Sequence, residues 1–315
     1  MSLIERAVDR LSGASNNQSI DVVPVAKTTQ LPTATNGLSD SVIDAAIAKQ
    51  LAASSLSAPI TPAQRALDPV RVTKDPLRLH LEGMRLKGML TPESKQSITG
   101  EEFRVIKRPL LANAFGKGTA PVKNGKRIMV TSAFPGEGKS FCAINLAMSI
   151  AAERDHKVLL IDADVARPSI PRELGISAEV GLMDWLLDPK LDIADLVLST
   201  NVDKLSILPA GRRHQQATEL IASASMSRLL EQISSRFPDR ICIFDSPPLL
   251  VTTEARTLAS YMGQIVMVVE AGRTPRDVIT EALATVGACE VVGLVLNKAK
   301  KIETSGYYGY GYGAA

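Results

Sequence analysis

Short apolar runs rich in β-branched residues alternate with longer segments of helical periodicity in the C-terminal part of the chain. Each run has the length of a buried strand, and each intervening segment is long enough for a crossover helix. This alternation predicts an α/β fold: a doubly wound, mostly parallel sheet with helices on both faces and a ligand site beyond the carboxyl ends of the strands. The predicted strands lie at residues 128–131, 158–161, 205–208, 241–244, 265–269 and 291–296.

The N-terminal region has a different composition. From residue 12 to about residue 66 it is crowded with Ser, Thr, Ala, Asn, Gln and Pro, so it cannot bury enough apolar surface to offset its ordering entropy. We expect residues 1–98 to be largely disordered, with two short islands. Residues 41–56 have helical spacing, whereas residues 76–89 fit either a strand or a helix. Both islands are also compatible with partner-docking or transiently ordered segments.

The folded domain is predicted to begin near Thr99. Thr99 and Glu102 have the spacing of a capping box ahead of a helical run. We therefore divide the remainder of the chain into a domain at residues 99–304 and a tail at residues 305–315.

A phosphate-binding motif follows the first predicted strand. Residues 132–140 read Ser-Ala-Phe-Pro-Gly-Glu-Gly-Lys-Ser, and a helical run opens at Phe141. This is the strand, loop and helix order of a P-loop, A-x-x-x-x-G-K-S, with Ala133 in the usual place of the first glycine. The motif predicts a P-loop NTPase fold. The alternative is a glycine-rich turn that binds no ligand.

This motif contains a residue for each group that a P-loop uses to bind a nucleotide. Gly136 and Gly138 allow backbone N–H groups to turn toward phosphate oxygens at a helix N-terminus. Lys139 is expected to reach the β and γ phosphates of ATP, and the Ser140 hydroxyl to bind Mg²⁺. The expected cofactors are therefore ATP and Mg²⁺.

Carboxylates follow two further predicted strands. The strand at 158–161 runs into Asp162 and Asp164, and the strand at 241–244 runs into Asp245. An isolated Asp at a strand end is commonly a turn former or a helix cap. With a P-loop in the same sheet, the position of all three at the carboxyl edge favours Mg²⁺ binding and positioning of a nucleophile.

Tyrosines are concentrated at the C-terminus. The chain has five tyrosines, and four of them lie in the segment GYYGYGYG. The interleaved glycines disfavour a stable helix or strand and keep each hydroxyl mobile, which suits a substrate that must enter an active site. The alternative is a Gly/aromatic tail used for packing or assembly. The four candidate phosphoacceptors are Tyr307, Tyr308, Tyr310 and Tyr312.

As a set, the P-loop, the apolar run ending in D-x-D, the apolar run ending in DSPP and the tyrosine cluster resemble the bacterial tyrosine kinases of exopolysaccharide synthesis. The match covers about residues 99–313. The segments EEFRVIKRPLLANAF and DADVARPS resemble the exosortase-associated subgroup. The resemblance implies an ATP-dependent autokinase that phosphorylates its own tail, between subunits, and so regulates polysaccharide chain length or export.

The same resemblance implies roles for individual residues. Lys139, Asp162 and Asp164 would be catalytic, and Asp162 would orient or deprotonate the incoming tyrosine hydroxyl. Ser140, Asp164 and Asp245 would hold the metal ion. The nucleotide would contact Gly136, Glu137, Gly138, Lys139, Ser140, Phe141, Arg167 and Asn297.

Two positions depart from the family pattern. Many members carry Arg two residues after the second Asp, where this chain has Ala166, so Arg167 is expected to serve instead or the contact is absent. Glu101 and Arg104 fit the family's E-x-x-R-x-x-R oligomerisation helix, but the third position is Lys107, which cannot reproduce the bidentate geometry of Arg. A solvated amphipathic helix is the alternative.

Composition limits the possible partners and the compartment. A net charge of +3, from 36 basic and 33 acidic residues, does not indicate nucleic-acid binding. The three widely spaced cysteines indicate buried free thiols in a reducing compartment. No run approaches the ~20 apolar residues of a membrane span, and the N-terminus lacks the apolar core of a signal peptide.

We therefore expect a cytoplasmic protein. The resemblance implies that a separate membrane-embedded regulator of polysaccharide chain length recruits it to the inner face of the membrane and activates it. A run of basic residues at 104–127 could face that partner or the anionic leaflet, or be a solvated surface.

Two other functions stay open. One is an ATP switch of the kind that positions division or partition machinery, which shares the fold but carries a lysine in K-G-G-x-G-K where this chain has Phe134. The other is a scaffold that binds ATP without transferring phosphate.

Overall fold

The six apolar runs form one sheet. The computed structural model describes residues 24–25, 76–94, 96–118 and 121–299, and within these ranges the sheet has eight strands in the order β1-β8-β7-β2-β6-β3-β5-β4. The six predicted strands pair in parallel, and two-residue antiparallel strands lie at either edge. The strands are β1 (Pro24–Val25), β2 (Arg127–Ser132), β3 (Lys157–Asp162), β4 (Leu198–Ser199), β5 (Leu205–Leu208), β6 (Arg240–Asp245), β7 (Gln264–Glu270) and β8 (Val291–Asn297).

Helices cover both faces of the sheet, as predicted. Along β2, Met129 faces one buried cluster and its neighbours Ile128 and Val130 face the other, which is the period of two of a strand buried on both sides. The helices are α1 (Leu81–Leu86), α2 (Ile98–Ala114), α3 (Lys139–Ala151), α4 (Ile170–Leu174), α5 (Leu182–Leu187), α6 (Ile193–Leu196), α7 (Ala217–Ile221), α8 (Ala224–Arg236), α9 (Thr253–Ala259) and α10 (Arg276–Ala284). None of those in the described ranges has the length and apolar character of a membrane span.

Strand register brings the polar ends of three strands together. β6 lies between β2 and β3, with Val130 opposite Asp245 and Asp162 also opposite Asp245. Adjacent strands are only about 4.8 Å apart. The loop after β2 and the carboxylates that end β3 and β6 therefore share one short stretch of the carboxyl edge.

The packed structure extends N-terminally of Thr99. Leu77 pairs with Thr200 in an isolated bridge, and the Leu90 N–H donates to Asn145 Oδ1 at 2.6 Å. The side chains of Leu79 and Met84 are buried in the same core as α2 and α3. The predicted domain start is therefore too late. Residues 76–89 combine an extended start with helix α1 and pack against their own domain, so this part of the N-terminal region is ordered.

The other predictions for the N-terminal region lie outside the described residues, apart from β1. This short strand pairs antiparallel with β8, with Pro24 opposite Gly293.

Helix α2 begins at a different cap from the one predicted. Ser97 is the N-cap, and its hydroxyl accepts a hydrogen bond from the Gly100 N–H at 3.1 Å. The Thr99–Glu102 capping box is wrong. Ser97 and Thr99 are both cap-forming residue types two positions apart, and the apolar spacing of the helix cannot choose between them.

The three cysteines are buried free thiols, as predicted. Burial raises the pKa of Cys142 and of Cys242 to about 12, so both stay protonated and unreactive.

Candidate active site

The P-loop connects β2 to α3. Gly138 is the N-cap of α3 with φ 99°, and Gly136 has φ 88°, so both lie in the left-handed region that favours glycine. A Cβ atom at Gly138 would also run into the Asn297 side chain. Lys139 and Ser140 then open the helix, and half-buried Phe141 follows them. The local sequence thus folds into the phosphate-binding turn that its motif predicts.

Glu137 stabilises this loop through hydrogen bonds to its side chain. Its side chain is buried, and its carboxylate accepts hydrogen bonds from the Phe134 N–H at 2.8 Å and from the Thr274 hydroxyl. The Glu137 carbonyl accepts from Asn297 Nδ2 at 2.9 Å. Asn297, predicted on the adenine side, therefore contacts the loop itself. The contributions of Thr274 and Asn297 to the loop come from distant loops, and local sequence carries no signal for them.

Lys139 lies between carboxylates of two strands. Its Nζ is 2.7 Å from Asp164 Oδ2 and 3.7 Å from Asp245 Oδ1. Burial alone would lower the pKa of Lys139, but Asp245 and Asp164 together raise it above its ordinary value. The lysine is thus a fixed ammonium ion at the mouth of the P-loop, where a γ-phosphate would need one.

Asp162 is buried at the end of β3. Its Oδ2 accepts the N–H groups of Ser169 and Ile170 at 3.1 and 3.0 Å. Its Oδ1 is buried without a hydrogen-bond partner among the described residues. Burial, reinforced by the neighbouring Asp245, raises the pKa of Asp162 to about 7. One oxygen of this carboxylate is therefore anchored by two backbone amides, whereas the other keeps its capacity to accept a hydrogen bond.

Asp245 and Ser140 are joined through Ser169. The Ser169 hydroxyl lies 2.8 Å from Ser140 Oγ and 3.4 Å from Asp245 Oδ2. Asp245 is fully buried, burial raises its pKa, and its Oδ1 has no hydrogen-bond partner in the described ranges. Sequence reasoning missed Ser169. The only signal was its position in the segment that follows D-x-D.

The residues present fit a Mg²⁺ ion. Ser140, Asp164 and Asp245 supply the hard oxygen donors that Mg²⁺ prefers. Asp245 Oδ1 lies 3.7 Å from the Lys139 ammonium but has no hydrogen-bond partner among the described residues, so it could still bind a cation. No group of three His, Cys, Asp or Glu side chains in the described ranges could hold a metal without help. Mg²⁺ in phosphoryl-transfer sites is commonly bound by one or two carboxylates together with substrate phosphates.

Arg167 lies beside the site on an exposed turn. Its backbone N–H donates to Asp164 Oδ1 at 3.1 Å, and Ala166 before it is also exposed. The Arg167 backbone N–H therefore orients the Asp164 carboxylate, and this role does not depend on the Arg167 side chain.

The predicted oligomerisation residues divide into two groups. Arg104 pairs with Glu101 on the exposed side of α2, at 2.5 Å. Lys107 is buried in its own domain, where its Nζ binds the Ser149 carbonyl at 2.7 Å and Glu153 Oε1 at 2.5 Å. The prediction that Lys107 faces a neighbouring subunit or the membrane is therefore wrong. A cation at the C-terminus of α3 is instead favoured by the helix dipole.

Two other features do not contribute to the site as the structure describes it. A cavity of about 360 Å³ opens beside Lys107, at the end of α3 opposite the P-loop, and is separate from the phosphate site. The four tail tyrosines lie outside the described residues.

Comparison with known proteins identifies the family. A family model described as ParA, NUBPL iron-transfer P-loop NTPase, matches residues 123–233, which include the P-loop. The tyrosine-protein kinase YwqD of Bacillus subtilis is 30% identical over 226 residues, a match that covers 71% of this chain and 91% of that protein. The chain belongs to the bacterial tyrosine kinase family. The resemblance that its motifs indicated is confirmed. With the ATP switches the chain shares the fold.

Other bacterial tyrosine kinases and their relatives agree with this assignment. The kinase domain of the Escherichia coli tyrosine kinase ETK superposes with a TM-score of 0.56 at 26% identity, covering 67% of this chain and 80% of that one. The succinoglycan biosynthesis transport protein ExoP of Rhizobium meliloti is 33% identical over 57% of this chain but only 23% of its own length. The exosortase-associated subgroup stays a prediction.

Proposed function

We propose that this bacterial tyrosine kinase is an ATP- and Mg²⁺-dependent autokinase whose acceptors are Tyr307, Tyr308, Tyr310 and Tyr312. The observation that carries the proposal is the convergence at one edge of the sheet of an ammonium, a P-loop and buried carboxylates. Lys139 and Asp164 are in contact, and Asp162 and Asp245 are paired across adjacent strands. Each of these two aspartates has one buried oxygen without a hydrogen-bond partner among the described residues. An ATP-binding scaffold has no need of such oxygens.

Each residue has a separate task in the transfer. The inward N–H groups of the P-loop and the Lys139 ammonium hold the β and γ phosphates, and Mg²⁺ when bound neutralises the charge that develops on them. The tyrosine oxygen attacks the γ-phosphorus, while the bond from that phosphorus to the bridging oxygen of ADP breaks. Asp162 Oδ1 accepts the hydroxyl proton, since Oδ2 is held by two backbone amides.

The last strand before the tail ends next to this chemistry. Asn297 ends β8 and its side chain donates to the P-loop residue Glu137. Tyr307 comes ten positions after Asn297, so an extended linker spans at most about 35 Å. That length reaches the site of a neighbouring subunit as well as the chain's own.

We also propose that subunits assemble through the tail and through the exposed side of α2. That side carries Glu101 and Arg104 together with exposed Ile98 and Val105. Unphosphorylated tails would dock in the sites of neighbouring subunits, and phosphorylation, which adds roughly −1.5 to −2 charge per tyrosine, would release them. We expect transfer between subunits as a result.

A mixing experiment tests transfer between subunits. A Lys139→Met chain with an intact tail is combined with an active chain whose four tail tyrosines are Phe, and the two are resolved by mass. Phosphate on the Lys139→Met chain is the expected result. If each chain alone and the mixture stay unmodified while the parent is phosphorylated, transfer occurs within one chain and the proposed assembly is wrong.

The cellular role is proposed from the family and from the name of the relative ExoP. A separate membrane-embedded regulator of polysaccharide chain length would recruit this cytoplasmic kinase to the inner face of the membrane, where it would control exopolysaccharide synthesis. Membrane fractions of cells with and without that regulator test the recruitment. Equal amounts of kinase in both would contradict it.

A further inference from the structure

The outer face of the P-loop is held by the residues that end the last strand. Lys298 Nζ donates to the Gly136 carbonyl at 2.6 Å, and Asn297 Nδ2 donates to the Glu137 carbonyl at 2.9 Å. In a trans peptide the carbonyl and the N–H of the next residue point in opposite directions. Holding these two carbonyls outward therefore turns the N–H groups of Glu137 and Gly138 inward, toward the phosphates.

Lys298 is placed for this contact by an unusual backbone. Its φ is 58°, in the left-handed region that a side-chain-bearing residue rarely adopts. This conformation comes directly after β8, at the residue whose side chain reaches the P-loop. Such backbone strain is concentrated at functional sites, where the surrounding structure maintains it.

A carboxylate on the neighbouring strand fixes the direction of the ammonium. Glu270 Oε2 lies 3.1 Å from Lys298 Nζ, and hydrogen bonding to Lys298 holds the pKa of Glu270 below its ordinary value. The Glu270 N–H also donates to Thr274 Oγ1, the hydroxyl that contacts the Glu137 carboxylate. The loop after β7, the end of β8 and the P-loop are thus one hydrogen-bonded unit.

We propose that Lys298 is a positioning residue that preorganises the P-loop amides of Glu137 and Gly138 for the phosphates of the nucleotide. It acts from outside the loop, through the carbonyl of Gly136, and does not touch the ligand. The inference rests on the proposed nucleotide site.

The test is Lys298→Met, which keeps the aliphatic stem and removes the ammonium. MgADP affinity measured by calorimetry should fall about 5- to 10-fold, since a charge-assisted hydrogen bond is lost at a partly exposed position. The KM for ATP should rise by a similar factor while kcat at saturating ATP stays within about twofold, because bound phosphates then order the loop. Amide hydrogen exchange in residues 134–140 should accelerate before any nucleotide is added.

Three further variants separate positioning from other effects. Lys298→Arg should restore the affinity to within about twofold, since its guanidinium can reach the same carbonyl. Glu270→Gln, which removes the partner of the ammonium, should weaken MgADP binding in the same direction but less. Lys301→Met removes an equal charge three residues further along the chain and should change the affinity less than about twofold.

Three results would each contradict a different part of the proposal. Parent-like MgADP affinity and parent-like exchange in Lys298→Met would overturn the inference while leaving the kinase proposal intact. Equal weakening by Lys298→Met and Lys301→Met, abolished by high salt, would overturn it in favour of long-range attraction of the nucleotide. A parent that binds no MgADP would remove the nucleotide site itself, and with it both proposals.

Discussion

Replacing Lys139 by Met should reduce phosphate transfer to the tail by about 10²- to 10³-fold, the range seen when one preorganised donor to a developing charge is removed. Its ammonium is buried 2.7 Å from Asp164 and is the group placed to meet the γ-phosphate. The folded protein should also lose about 3 kcal/mol of stability, because Asp164 and Asp245 lose their cation. The measurements are initial rates of phosphate incorporation and urea unfolding.

Lys157→Met is the matched control for the Lys139 variant. Lys157 pairs with Asp239 at 2.8 Å, but both side chains are more than half exposed, so this pair contributes little. The control should keep the parent rate and lose less than about 1 kcal/mol. If Lys139→Met transferred phosphate within tenfold of the parent rate, another group would have to hold the γ-phosphate.

The Asp162→Asn variant should lower kcat by about 10²- to 10⁴-fold, the usual contribution of a positioned general base. The amide is nearly isosteric, and its oxygen can still accept the N–H groups of Ser169 and Ile170. What is lost is the proton acceptor at the other position, where the carboxylate Oδ1 of Asp162 is replaced by an amide NH₂ group that cannot take the tyrosine proton. Rates at saturating ATP isolate this step from nucleotide binding.

Binding measurements provide the control for the Asp162 variant. MgADP affinity should equal or exceed that of the parent, since a negative charge near the phosphates has been removed. A kcat above about half the parent value would show that Asp162 is not the proton acceptor and would favour a scaffold. A parallel loss of affinity and of kcat would show that the substitution disturbed the whole site.

The strands could be predicted because they are buried on both faces and read as continuous apolar runs. The carboxylates at their ends were predicted for the same reason, since strand ends of a parallel sheet meet at one edge. The confirmed parallel order places Asp162 and Asp245 on adjacent strands. Motif spacing and sheet geometry were thus sufficient to predict most residues of the candidate site.

Lys107 shows where a spacing argument fails. Three residues turn a helix by about 300°, so positions 101, 104 and 107 drift by about 60° at each step. Lys107 therefore reaches the side of α2 that buries Phe103 and Ile106, where its ammonium binds the end of α3. A family pattern written as letters does not show which of its positions a particular helix buries.

The contacts around the P-loop could not be predicted from local sequence. Lys298 and Gly136 are 162 positions apart, and Thr274 and Glu137 are 137 positions apart. Thr274 belongs to no motif. Lys298 follows Asn297 in a pair that resembles the family's adenine-side segment, but that resemblance carries no sign of a contact with the P-loop. Only the tertiary fold brings the two residues to the loop. Ser169 is similar, since nothing in its type distinguishes it from other serines.

The most direct test of the account is the intact mass of the purified chain after incubation with ATP and Mg²⁺, beside a variant whose four tail tyrosines are Phe. We predict up to four added phosphates on the parent and none on the variant. Equal phosphate on both chains would place the acceptors elsewhere. No phosphate on the parent, even with the cytoplasmic segment of a membrane activator present, would contradict the autokinase and favour an ATP switch.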